Sequence, residues 1–95
     1  MEDNVKQISE LLKVLANENR LLILCGLMRR PMTVNEIAVL VPKITQSALS
    51  QHLALLKAHG ILDNSKSGQS VTYSIADLRV EEIIKILKKY YCEEG

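Results

Sequence analysis

A length of 95 residues, 47% of them apolar, and a formal net charge of +1 bound the chain to one domain, or to one subunit of an oligomer. With no Phe and no Trp, its core has to be mainly aliphatic. No window has the charged and apolar regions of a signal peptide, and no run approaches the roughly 20 apolar residues of a membrane span, so the chain reads as cytoplasmic with no membrane partner. Two cysteines in such a compartment are expected as thiols unless they sense something. The small net charge hides an uneven distribution. Residues 19–66 carry Arg20, Arg29, Arg30, Lys43, Lys57 and Lys66 against Glu36 and Asp63, a net of +4, while residues 1–18 carry −2 and residues 67–95 carry −1.

In chain order the sequence predicts helices and one hairpin. Val5 to Leu15 is amphipathic, with Val5, Ile8, Leu11, Leu12 and Leu15 on a helical stripe. Asn17 can cap a second helix from Glu18 to about Met28, apolar on more than one face and therefore central, which Arg29-Arg30-Pro31 ends. Thr33-Val34-Asn35-Glu36 is a capping box that opens a short third helix to about Leu40. After Val41-Pro42-Lys43, Thr45 caps a fourth helix that Gly60 stops. Two helices parted by so brief a break form a helix-turn-helix, the second being the reading helix. The runs from Ile61 to Lys66 and from Ser70 to Ile75 flank Ser67-Gly68-Gln69 and predict a β-hairpin, which after a helix-turn-helix is a wing. Asp77 caps a last helix with Val80, Ile83, Ile84, Leu87 and Tyr91 on one stripe and Ile86 and Tyr90 beside it. That girth exceeds what a small core needs, so the first and last helices are expected to pair two copies of the chain.

The chemistry collects on the fourth helix. Leu49, Leu53 and Leu56 form its buried stripe and leave Gln46, Ser47, Ser50, Gln51, His52 and Lys57. An ordinary solvated face is rich in Glu and Lys, but no acid occurs between Lys43 and His59, which suits a double-stranded DNA partner whose major groove, about 12 Å wide, admits a helix. Lys66, Gln69 and Ser70 near the hairpin tip are candidates for phosphate or minor-groove contact; each alone reads equally well as an ordinary polar turn residue. Catalysis has no support. Ser47, Ser50 and His52 lie on one short helix with no acid or oxyanion arrangement beside them. His52 and His59 lack the further convergent ligands zinc requires, and His59 suits an exposed helix end.

Leu15-Ala16-Asn17-Glu18-Asn19-Arg20-Leu21-Leu22-Ile23-Leu24, the run from Thr45 to Leu56, Gly60-Ile61 and Val71-Thr72-Tyr73-Ser74-Ile75 resemble, in order, successive motifs of the ArsR/SmtB family of winged-helix regulators. The resemblance covers nearly the whole chain. It implies a mainly α fold with a β-hairpin wing, a winged helix-turn-helix spanning residues 1–95 with terminal dimerisation helices. It also implies a homodimer that binds an imperfect palindromic operator, and no cofactor. The family's metal sites are not matched. No cysteine lies between Asn35 and Leu40, and the last-helix Asp-x-His reads Asp77-Leu78-Arg79. Around Ile23-Leu24-Cys25 and Tyr90-Tyr91-Cys92-Glu93-Glu94 the chain is similar to the family's persulfide- and redox-sensing branch of the BigR, SqrR and HlyU kind. That similarity implies that Cys25 and Cys92 of one subunit are bridged by reactive sulfur or oxidant, releasing a repressor from DNA. By residue chemistry alone, Cys25 is equally a small core hydrophobe and Cys92 a terminal residue without role. Lys88 and Lys89 favour a Cys92 thiolate, while Glu93 and Glu94 oppose it. The turn Val41-Pro42-Lys43-Ile44 is longer than the branch's by one residue, which is expected to alter the angle between the third and fourth helices. The same scaffold without a thiol switch, as an activator, antirepressor or sensor of another ligand, stays open, as does a protein-interaction module.

Overall fold

A computed structural model describes residues 1–92, with the side chain of Cys92 outside the described part. Helix α1 spans Glu2–Leu15, beginning earlier than the apolar stripe, because Glu2 and Asp3 favour the positive end of the helix dipole. Asn17 ends the connection and caps α2 (Glu18–Leu27), its side-chain oxygen accepting from the Arg20 N–H at 3.1 Å. The buried Gly26 lies against the third helix, and a Cβ there would run into the δ-methyl groups of Leu40. This glycine sets how closely the two helices approach.

A two-residue strand β1 (Met32–Thr33) leads directly into α3 (Val34–Leu40). The capping box forms as expected: Thr33 Oγ1 accepts from the Glu36 N–H at 3.3 Å, and the Glu36 carboxylate accepts from the Thr33 N–H at 2.9 Å. Thr45 caps α4 (Gln46–Ala58), its Oγ1 accepting from the Ala48 N–H at 3.0 Å. Strands β2 (Leu62–Ser67) and β3 (Ser70–Ile75) then pair antiparallel, with Ser67 opposite Ser70. The turn is therefore Gly68-Gln69 alone, and Ser67 belongs to a strand. Gly68 has φ +63°, a left-handed conformation open to glycine without strain.

Two further features differ from the expectation. The hairpin is part of a three-stranded sheet in the order β1-β3-β2, because Met32 pairs with Tyr73 and Thr33 with Thr72. A strand of two residues is too short for an alternating pattern, so nothing in the sequence marks it. The last helix also changes form. Helix α5 runs Leu78–Leu87, and Lys88–Cys92 continue it as a π-helical turn. A π turn closes on i→i+5, so Tyr91 no longer continues the stripe of Val80, Ile83, Ile84 and Leu87. Tyr90 and Tyr91 are 69% and 83% exposed, and the Lys89 ammonium lies 5.5 Å from the Tyr90 ring centre.

Among the described residues, every buried hydrophobic side chain of the core is Val, Leu, Ile or Met. Ile23 and Leu24 of α2, Ile37 of α3, Leu49 and Leu56 of α4, Ile61, and Val80 and Ile84 of α5 are fully enclosed, so one aliphatic cluster fastens the reading helix to its support. Among the described residues no helix is long and apolar enough to cross a membrane.

Candidate nucleic-acid interface

Burial of Leu49, Leu53 and Leu56 fixes the rotation of α4 about its axis. Gln46, Ser47, Ser50 and Gln51 are then exposed, the helical spacing of the last three placing them along one outer face, and Lys57 is exposed near the end of the helix. Thirteen helical residues give a rod of about 20 Å at about 1.5 Å per residue. The outer face carries amides and hydroxyls, which both donate and accept, and no carboxylate to repel a polyanion. Lys66, Gln69 and Ser70 gather at the exposed end of the hairpin, around the Gly68 turn. Here the hairpin register converts three separate polar residues into one projecting tip.

His52 behaves differently from its neighbours. It is half-buried at the margin of the outer face, and Arg20 of α2 lies against it, with Arg20 Nη1 3.2 Å from His52 Nδ1. Arg20 is itself held, since its Nε donates to the Val14 carbonyl of α1 at 2.6 Å. Burial of the ring, and secondly the Arg20 charge, hold the His52 pKa below the usual histidine value. In the sequence, Arg20 registers as one of the bases in the positive segment and as part of the Leu15–Leu24 run that resembles the family, and neither signal pairs it with His52. With Nδ1 engaged by Arg20, His52 makes no hydrogen bond to Ser47 or Ser50, and no nucleophile–base pair is assembled. His59 is exposed at the C-cap of α4.

Cys25 is half-buried on α2 and packed against the core. The side chain of Cys92, the other member of the expected pair, lies outside the described residues. Among the described residues, no group of three or more His, Cys, Asp and Glu side chains converges to hold a metal ion.

A polar reading helix, clamped by its apolar face and flanked by a hairpin with a polar tip, defines a winged helix-turn-helix regulator of transcription. Residues 17–64 match the bacterial regulatory protein, arsR family. The chain is 40% identical over 93 residues to the transcriptional activator HlyU of Vibrio cholerae serotype O1, covering 98% of this chain and 85% of that protein. It is 30% identical to the biofilm growth-associated repressor of Agrobacterium fabrum, covering 97% of this chain and 78% of that one. Its fold superposes on reduced HlyU from Vibrio cholerae N16961 with a TM-score of 0.90, covering 98% of this chain and 97% of that one. The homodimeric winged helix-turn-helix domain of Mb0332 from Mycobacterium bovis superposes with a TM-score of 0.79 at 26% identity, covering 93% and 81% of the two chains. The chain belongs to the ArsR family, whose members among these relatives are DNA-binding regulators of transcription and not enzymes.

Proposed function

We propose that this protein is a cytoplasmic homodimeric repressor that sits on an imperfect palindrome and lets go when Cys25 and Cys92 of one subunit are bridged by reactive sulfur or oxidant. The acid-free outer face of α4 carries the DNA half of this reading: Gln46, Ser47, Ser50, Gln51 and His52 meet the major groove, and Lys57, Lys66, Gln69 and Ser70 meet its borders. Support for pairing comes from Val5, Ile8 and Leu12 of α1, 56%, 54% and 50% exposed, and from the homodimeric Mb0332 domain.

The switch half rests on Cys25. It lies between Leu24 and Gly26, both buried, in a core shared with Val80 and Ile84 of α5, the helix that leads to Cys92. A relative whose reduced form is distinguished in its own right, HlyU, supports thiol chemistry as the signal. A low-molecular-weight persulfide RSSH transfers its outer sulfur to one thiolate, releasing RSH. The second thiolate attacks the resulting cysteine persulfide, forming Cys–S–S–Cys and expelling the outer sulfur as hydrogen sulfide. A small shift of the dimer axis then separates the reading helices from successive grooves. Glutathione persulfide should release operator DNA and thiol reductant should restore binding. Cys25→Ser and Cys92→Ser should each bind DNA and fail to release. Intact mass read beside the DNA titration decides the matter: a fully formed bridge with unchanged affinity removes the sensor and keeps the scaffold.

A second reading has one observation in its favour, since HlyU is named an activator. In that case the same DNA occupancy displaces a silencing protein. Transcript levels in a deletion strain separate the two, rising for a repressor and falling for an activator.

A further inference from the structure

Arginine has no acceptor atom and stays protonated at ordinary pH. The 3.2 Å contact therefore runs one way: Arg20 donates, His52 Nδ1 accepts with its lone pair, and the ring proton resides on Nε2. Nε2 has no hydrogen-bond partner among the described residues. No described side-chain nitrogen or oxygen is both buried and unpaired, so Nε2 reaches solvent. The guanidinium that fixes this tautomer cannot drift, because its Nε holds the Val14 carbonyl at 2.6 Å and its main-chain N–H holds the Asn17 cap at 3.1 Å. Arg20 is the charged group acting on the ring, and no carboxylate from α1, α4 or β2 does so.

We propose that Arg20 is a positioning residue that locks His52 as the neutral Nε2–H tautomer, and that this N–H donates to a DNA phosphate oxygen beside the reading helix. The proposal rests on the DNA-binding reading and names a contact within it. His52 sits at the margin of the outer face, where a helix in the major groove meets the groove wall rather than base edges. A neutral donor there adds register without adding charge. One guanidinium also joins the last turn of α1, through the Val14 carbonyl, to α4, so the orientation of the donor follows the orientation of α1.

Two measurements test the proposal. Imidazole nitrogen NMR of the free protein at pH 7.5 should show His52 neutral, with Nδ1 unprotonated and Nε2 protonated; Arg20→Gln, folded by circular dichroism, should show a mixture of tautomers, and Arg20→Lys should keep most of the preference. An Nδ1–H or doubly protonated ring in the free wild type overturns the role of Arg20. DNA titration then compares two amides. In His52→Gln the amide nitrogen occupies the place of Nε2, and in His52→Asn that of Nδ1. His52→Asn should bind roughly ten- to hundredfold more weakly than His52→Gln on operator and random DNA alike, with the same salt slope in both, as loss of one phosphate hydrogen bond requires. Equal binding by the two variants, or a loss confined to operator DNA, overturns the phosphate contact. Wild-type protein that binds neither DNA overturns the DNA-binding reading itself, while the tautomer in the free protein still reports on Arg20.

Discussion

Arg79 grips both oxygens of Asp77: Nη2 donates to Oδ2 at 2.7 Å and Nε to Oδ1 at 3.0 Å, while the Arg79 main-chain N–H reaches Oδ1 at 2.9 Å. The carboxylate that would open an Asp-x-His metal site is thus already neutralised by the residue standing where the histidine would be. Protein purified without chelator should carry no zinc, cadmium or arsenic, and zinc should leave its melting temperature unchanged. Near-stoichiometric metal retained through dialysis overturns this.

The same pair predicts a pH dependence. The Arg79 side chain, through its hydrogen bonds to the carboxylate, holds the Asp77 pKa below the ordinary value of 3.8. A group whose folded pKa is depressed contributes stability above its unfolded pKa and loses it as pH falls through the folded one. Asp77→Ala, which also removes the α5 cap, should cost about 1 kcal/mol in urea unfolding at neutral pH. Asp77→Asn keeps a cap but no titrating group, so its deficit against wild type should shrink below pH 3.8. Arg79→Ala, at a side chain 75% exposed, should cost less than about 1 kcal/mol.

Dimerisation is testable on α1. Sedimentation at micromolar protein should give about twice the 10.7 kDa chain mass. Ile8→Glu with Leu12→Glu places charges on side chains that are half exposed in the single subunit, so the fold should survive while the dimer separates. Operator affinity should then fall by two orders of magnitude or about that, as the second half-site no longer adds to the first. A wild-type protein that sediments as a monomer at these concentrations sinks the two half-site arrangement.

On DNA, Gln51 and Lys66 should part company. An amide can pair bidentately with adenine, so Gln51→Ala should lose discrimination worth about 1–3 kcal/mol between operator and random sequence. Lys66→Ala should weaken both about equally and lower the salt slope by about one counterion. Equal loss on both DNAs from the Gln51 change would show that Gln51 reads no base.

Much of this architecture was legible because helical stripes and caps act locally. Leu49, Leu53 and Leu56 mark the buried side of α4 by spacing alone, and Asn17, Thr33, Thr45 and Asp77 each cap the helix that their neighbours announce. The acid-free polar face of α4 follows from the same stripe. The remainder depends on long-range contact. Pairing of Met32 and Thr33 with β3 needs partners about forty residues away, and two residues carry no period. Arg20 and His52 are 32 positions apart, so only the tertiary fold brings them together. The π turn after Leu87 arises where the apolar stripe gives way to Lys88 and Lys89, a place where composition favours helix but does not specify its pitch.

Thr33 belongs at once to the sheet and to the helix pair, facing Thr72 in the ladder and capping α3. At the other side, Ile61 joins α4 to the hairpin with its N–H on the Leu56 carbonyl at 3.0 Å and its own carbonyl on the Ala76 N–H at 2.8 Å. Neither junction has slack. In the proposed DNA complex, hairpin and reading helix therefore work as a caliper of fixed gauge, each subunit spanning one set length of duplex. The adjustable dimension of a two-subunit assembly lies between the calipers, so operators should be told apart by the spacing of their half-sites as much as by the bases within them.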